Sequence, residues 1–166
     1  GLALMSLGRH DEARARLGEA EKMALGLGAG RLEALVLASL GLVLQRGDHG
    51  EEARKAYERS IEAAERAGDA GTLANVQLNL AGLLKVQGDI AGAIDVFEGA
   101  ADMGRRSGRQ NTVRWALLNL ANTDLYLGRL GRARASIDGL NEQREKLAPV
   151  MIPYLLGANA ELEERL

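Results

Sequence analysis

The same residue types return every forty positions in this chain. Ala13, Ala53, Ala93 and Ala133 form one column, and Leu40, Leu80 and Leu120 form another. Gly28, Gly68 and Gly108 form a third, and a large apolar residue recurs as Leu17, Tyr57, Phe97 and Ile137. A small residue recurs as Gly41, Ala81 and Ala121. Several independent columns with one period mark a repeat architecture. A unit of that length cannot bury its apolar surface alone, so successive units must stack on one another.

Composition decides what each unit is made of. Of the 166 residues 46% are hydrophobic but only 3% aromatic, which is too poor in strand-forming side chains for a sandwich or barrel. Ala, Leu, Glu and Arg dominate, and they favour helices. The expected fold is therefore all-α. First helices are predicted over 31–46, 71–87 and 110–127, and second helices over 49–67, 89–107 and 130–147. A cut-off helix to Leu7 and a second helix over 10–27 precede these. A terminal helix over 150–165 follows, with Pro149 and Pro153 in its first turn, where a missing N–H costs little. Gly47-Asp48, Gly88-Asp89 and Gly128-Arg129 mark the turns within pairs. Gly68-Asp69 and Gly108-Arg109 mark those between pairs. In each, glycine takes the positive φ that ends a helix and aspartate can cap the next. The units run about 1–28, 29–68, 69–108 and 109–148, with the terminal helix over 149–166. The start at Gly1, inside half a helix, reads as a piece cut from a longer chain.

The small residues at 41, 81 and 121 and the alanines at 53, 93 and 133 are expected to face one another and let the helix axes approach. Tyr57, Phe97 and Ile137 then fill the gap to the next pair. With Ser60 and Ala100, this pattern resembles the tetratricopeptide repeat (TPR) signature. The period of 40 in place of 34 resembles the longer units of kinesin light chain, Pins/LGN-type adaptors and MalT-like signalling proteins. The resemblance implies a right-handed α–α superhelix whose first helices line a concave groove. Three departures stand out. Leu140 sits where a small residue belongs, and Asp124 where Leu44 and Leu84 are apolar. Leu37, Gln77 and Leu117 replace the usual aromatic.

Charge is unequally divided between the helices. Residues 48–67 carry ten charged side chains, 71–87 carry Lys85 alone, and 109–127 carry three. The second helices are thus expected to face water and the first helices to be sheltered. On the first helices the stripe i, i+4, i+7, i+11 reads Leu35, Ser39, Leu42, Arg46, then Asn75, Asn79, Gly82, Val86, then Trp115, Asn119, Asn122, Tyr126. The terminal helix adds Leu155, Asn159 and Leu162. Asparagine is a mediocre helix former, so its recurrence at 79, 119 and 159 asks for a reason. A side-chain amide offers a donor and an acceptor and matches a peptide unit. In TPR grooves the position of Asn79 and Asn119 often contacts the ligand main chain, and Asn159 is the weaker third. Trp115, Tyr126, Leu78 and Leu118 would add apolar pockets, and Lys85 and Arg46 would meet a carboxylate. The competing reading is that the amides bond one another or water, and that Trp115 is plain packing.

Other chemistries find little footing. The absence of cysteine excludes disulfides and thiolate chemistry. A net charge of −2 argues against a nucleic-acid ligand. No apolar run approaches a membrane span, and no signal peptide is visible. Gly26, Gly28 and Gly30 lack the preceding strand of a dinucleotide fingerprint. His10 and His49 sit far apart without ligands at i+4, Glu51-Glu52 belongs to a solvated face, and no triad can be assembled. Gly82, Gly92, Gly99 and Gly104 within predicted helices mark either close backbone approach or a pliable unit. The expectation is a non-enzymatic, cytoplasmic protein-interaction module that takes a peptide or partner segment and needs no cofactor or metal. The alternative is a regulatory arm of a multidomain bacterial signalling protein, such as an ATPase, kinase or transcription activator. Self-association through exposed stack ends is a third expectation.

Overall fold

The computed structural model describes residues 10–166, so the expected helix ending at Leu7 lies outside the described residues. The described residues form eight α-helices and two short 3₁₀ turns. We label the helices α1 (His10–Gly26), α2 (Gly30–Arg46), α3 (Gly50–Arg66), α4 (Ala70–Val86), α5 (Ile90–Arg106), α6 (Gln110–Tyr126), α7 (Leu130–Asn141) and α8 (Ile152–Glu164). Helices α1 to α6 are each 17 residues long. The forty-residue period is thus two equal halves, each a helix and a short turn.

The turn chemistry follows that half-period. Gly28, Gly68, Gly88, Gly108 and Gly128 have φ between 61° and 87°. The expected turn glycine at 47 does not: its φ is −87°, and Asp48 takes the left-handed conformation at φ 63°. Asp48 stands where the twenty-residue register puts a glycine, and aspartate tolerates that region better than most side chains. It therefore does not cap α3; His49 occupies that position without a side-chain cap bond. Five of these six turns, all but the one at Gly88, close by an amide reaching back five residues, as from His49 to Leu44 (2.9 Å) and from Arg129 to Asp124 (2.8 Å). Asp69 and Asp89 do cap: Asp69 accepts from Gly71 and Thr72, and Asp89 from Gly92.

The chain divides into two compact units, one ending at Gln87 and one running from Gly88 to Leu166. In the first, α2 packs against α3, and α1 and α4 flank them. The ring of Tyr57 is fully buried, and its hydroxyl donates to Gln45 Oε1 at 2.9 Å. A Cβ on Gly41 would lie 2.5 Å from that ring. The small residue at 41 therefore makes room for the Tyr57 ring of its own pair. Ser60, also fully buried, spends its hydroxyl on the Ala34 carbonyl at 2.7 Å. Arg31 pairs with Asp69 at 3.1 Å and Arg66 with Glu33 at 3.3 Å.

In the second unit α6 packs between α5 and α7, and α8 rests on α6 and α7. Its core joins Leu118, Leu125, Ile137, Leu140, Met151 and Leu155. Helix α7 stops at Asn141, short of the predicted 147. Further on, Pro149 holds Ala148 extended (ψ 136°), and Leu147 is extended too (ψ 144°). The chain then passes through the 3₁₀ turns Arg144–Lys146 and Pro149–Met151, which drop Leu147 and Met151 into the core. Leu140 joins that cluster, which is how a large residue fits a position where a small one was expected. Of the four in-helix glycines, Gly104 marks a close approach, since a Cβ there would meet Val113 Cγ2 at 2.9 Å. Gly92 accommodates the Asp89 cap, whereas Gly82 and Gly99 have nothing within 4 Å.

Candidate functional site

Helices α2 and α4 frame a shallow channel in the first unit, with a volume of about 190 Å³. Its walls are Leu35, Ala38, Ser39 and Leu42 from α2, and Thr72, Asn75, Val76 and Asn79 from α4. The stripes predicted for these two helices thus meet in space. None of these side chains is charged. Asn75 and Asn79 are exposed and, among the described residues, have no hydrogen-bond partner. The Ser39 hydroxyl is spent within its helix on the Leu35 carbonyl at 2.9 Å. Leu35 is 45% exposed, so the channel has an accessible apolar wall beside free amides. Leu78 and Lys85 are half-buried and outside that lining. Arg46 is exposed at the end of α2, and its charge acts on Tyr57. Burial outweighs that effect and pushes the Tyr57 phenol up to about 12.

The corresponding residues of the second unit are spent differently. Asn119 donates to the Trp115 carbonyl of its own helix at 2.8 Å. Asn159 donates to the Leu155 carbonyl at 2.9 Å and exchanges bonds with Asn141 of α7 at 2.9 and 3.4 Å. For Asn159 the amide-to-amide reading therefore describes the structure. Trp115 lies partly buried on the core and meets Tyr154 edge-on, with ring centroids 5.8 Å apart. Tyr154, which the helical stripe omitted, is 57% exposed. Leu118 is 1% exposed within the core and offers no wall to a pocket. Asn122 is half-buried and Tyr126 is 68% exposed.

The other flank of α2 carries a feature that the stripe did not point to. Between α1 and α3 runs a furrow of about 680 Å³ floored by Leu40 and Leu44. The second unit has a furrow in the same register, between α5 and α7, of about 310 Å³. Its floor is Leu117, Leu120 and Asp124. Asp124 is 2% exposed and lies 3.3 Å from Arg132 and 3.7 Å from Arg129, so its departure from the apolar column is a buried charge with two arginines. Among the described residues no group of three His, Asp or Glu side chains is placed to hold a metal ion. No described helix is long and apolar enough to cross a membrane.

The chain matches no protein-family model and no curated protein. Solved structures do resemble it. BtubC (BKLC) from P. vanneervenii aligns with a TM-score of 0.80 and 16% identity, over 98% of this chain and 71% of that one. A kinesin-light-chain-type protein of Podosopora anserina with nearly identical TPR-like repeats aligns with a TM-score of 0.75 and 14% identity, over 98% and 80%. A variant of that same fungal protein aligns equally well. These likenesses establish the fold: an all-α, TPR-like arrangement of antiparallel helix pairs.

Proposed function

We propose that this chain is a non-enzymatic protein-interaction module that takes a partner segment along the faces of its first helices. The observation that carries this reading is the α2–α4 channel, where the exposed, unpartnered amides of Asn75 and Asn79 stand beside the apolar wall of Leu35 and Leu42. An extended segment presents the matching pattern, with a main-chain donor and acceptor at each peptide unit and side chains between them. The uncharged lining favours a neutral, partly apolar stretch. Trp115, Asn119, Asn122 and Tyr126 are the second unit's contribution to the same kind of recognition, with Asn119 keeping its Oδ1 as an acceptor. Asn159 and Leu118 contribute through structure, and Asn75 and Asn79 contribute most to contact.

A peptide-library screen with the whole chain tests this. Replacing both Asn75 and Asn79 with alanine is expected to weaken selected ligands roughly tenfold or more, at about 1 kcal/mol per lost hydrogen bond. If every selected ligand binds the Asn75, Asn79 and Asn119 variants with unchanged affinity, the assignment of the channel is wrong.

A further inference from the structure

We infer that the N-terminus of α6 is a receptor for a partner's carboxylate, built on the plan that α4 fills with its own Asp69. In α4 the Asp69 carboxylate accepts from the amides of Gly71 (3.1 Å) and Thr72 (3.2 Å) and from the Thr72 hydroxyl (2.7 Å). The Arg31 guanidinium lies 3.1 Å from it. That set suits a carboxylate: it holds Asp69 below its ordinary value, with the Thr72 hydroxyl contributing most. Forty residues on, Thr72 recurs as Thr112, but Asp69 has become Arg109, which makes no side-chain cap bond. Among the described residues, the amides of Asn111 and Thr112 are left without a hydrogen-bond partner.

Two buried side chains set this helix end apart. Thr112 is 7% exposed, and its hydroxyl bonds to nothing among the described residues. Arg114, 8% exposed, stands where the earlier repeats have Ala34 and Ala74. Its Nη1 donates to Asn111 Oδ1 at 3.1 Å, which draws the guanidinium back over the first turn, and its Nε is buried without a partner. Helical side chains lean toward the N-terminus, so both groups are carried to the end where the free amides point. A buried guanidinium without a counter-ion and an unmade hydrogen bond are each destabilising, and one carboxylate answers both. Helices α2, α3 and α7 also start without a side-chain cap, but they have Leu32, Glu52 and Arg132 in place of the threonine. The local charge agrees. Between Met103 and Thr123 stand Arg105, Arg106, Arg109 and Arg114, and no carboxylate. Asp102 is taken by Arg105 at 2.6 Å, and Asp138, Glu142 and Glu145 make no ion pair among the described residues. The helix dipole adds to this positive field.

The test titrates the whole isotope-labelled chain at constant ionic strength and follows amide NMR shifts. The probes are a blocked glycine peptide with one central aspartate, its asparagine counterpart, a glycine peptide with a free C-terminal carboxylate, and inorganic phosphate. A carboxylate peptide is expected to shift the Asn111 and Thr112 amides saturably, and the tighter of the two identifies the source as a side chain or a chain end. The asparagine peptide is expected to bind at least roughly tenfold more weakly. Thr112→Val is expected to weaken binding roughly tenfold without lowering the melting temperature, because the hydroxyl it removes has no partner. Arg109→Asp, which copies Asp69, is expected to abolish binding while raising the melting temperature, whereas Arg109→Ala is expected to keep affinity within about threefold. Equal binding of the asparagine peptide, phosphate binding tighter than both carboxylates, undiminished binding to Thr112→Val, equal affinities for Arg109→Asp and Arg109→Ala, or no saturable shift at Asn111 and Thr112 would each overturn the proposal. The channel of Asn75 and Asn79 shares no residue with this site, so its own test stands or falls independently.

Discussion

The furrow under α1 and α3 and the furrow under α5 and α7 occupy the same place in the repeat and are built on opposite principles. In the first, Leu40 and Leu44 form an apolar floor, and the ion pairs lie only at the rim. In the second, a carboxylate that is 2% exposed takes the place of Leu44, and Arg129 and Arg132 compensate it. The difference teaches that a repeat position specifies a location and leaves its chemistry free, provided that neighbouring positions change with it. Asp124 is tolerable because position 132, which is Glu52 in the first unit, has become arginine. One Asp124 oxygen, Oδ1, still lacks a hydrogen bond, so the compensation is incomplete.

The sharpest way to break that comparison is to transplant half of it. Leu44→Asp puts a carboxylate on a floor where positions 49 and 52 are histidine and glutamate, so neither of the two arginines that answer Asp124 has a counterpart. The expected cost is about 3–5 kcal/mol, that of an uncompensated buried charge, read by urea denaturation. Adding Glu52→Arg is expected to recover about 1–2 kcal/mol in a double-mutant cycle. A cycle with no coupling would show that the two positions do not act as a unit. The reverse change, Asp124→Leu, is expected to cost little or to stabilise, because both arginines remain half-exposed and free to hydrate.

Next in size is the buried ring that organises the first unit. Gly41→Ala drives a methyl group into Tyr57 and is expected to cost about 2 kcal/mol, whereas Gly82→Ala, on open space, is expected to gain about 1 kcal/mol in thermal melts. Tyr57→Phe forfeits the bond to Gln45 and is expected to cost about 1 kcal/mol. The raised phenol pKa adds a pH signature: the neutral phenol's contribution is whole below pH 10 and is lost as pH climbs through about 12. Tyr57→Phe should therefore be less sensitive to alkali than the parent chain.

The smallest effect concerns a cap. Asp69→Ala is expected to cost about 1 kcal/mol. The Thr72 hydroxyl, followed by the Thr72 amide, holds the Asp69 carboxyl below its ordinary value, and Arg31 adds to this. The cap's contribution is accordingly present above the usual carboxylate range and lost as pH falls through the lowered value. Melting curves of the parent chain and Asp69→Asn should converge in acid; a gap that persists would remove the carboxylate from the account.

Much of this was legible beforehand. The helices α2 to α6 lie within one residue of the predicted spans, because the apolar columns and the turn dipeptides carry both period and boundary. The meeting of Leu35, Leu42, Asn75 and Asn79 along one channel also follows from helical spacing on stacked units. The sequence was less informative wherever two residues compete for one space or one partner. Which turn residue takes positive φ was decided by the twenty-residue register, and Asp48 won over Gly47. Whether an asparagine is free was decided by its neighbour: among the described residues Asn79 has none to bond, while Asn159 finds Asn141 across the helix pair. Whether Asp124 weakens its unit was decided by two arginines brought beside it. Periodicity is a one-dimensional property, so sequence alone determined helices α2 to α6 and their lengths. Vacancy, pairing and charge compensation depend on distances between residues far apart along the chain, and only packing sets those distances.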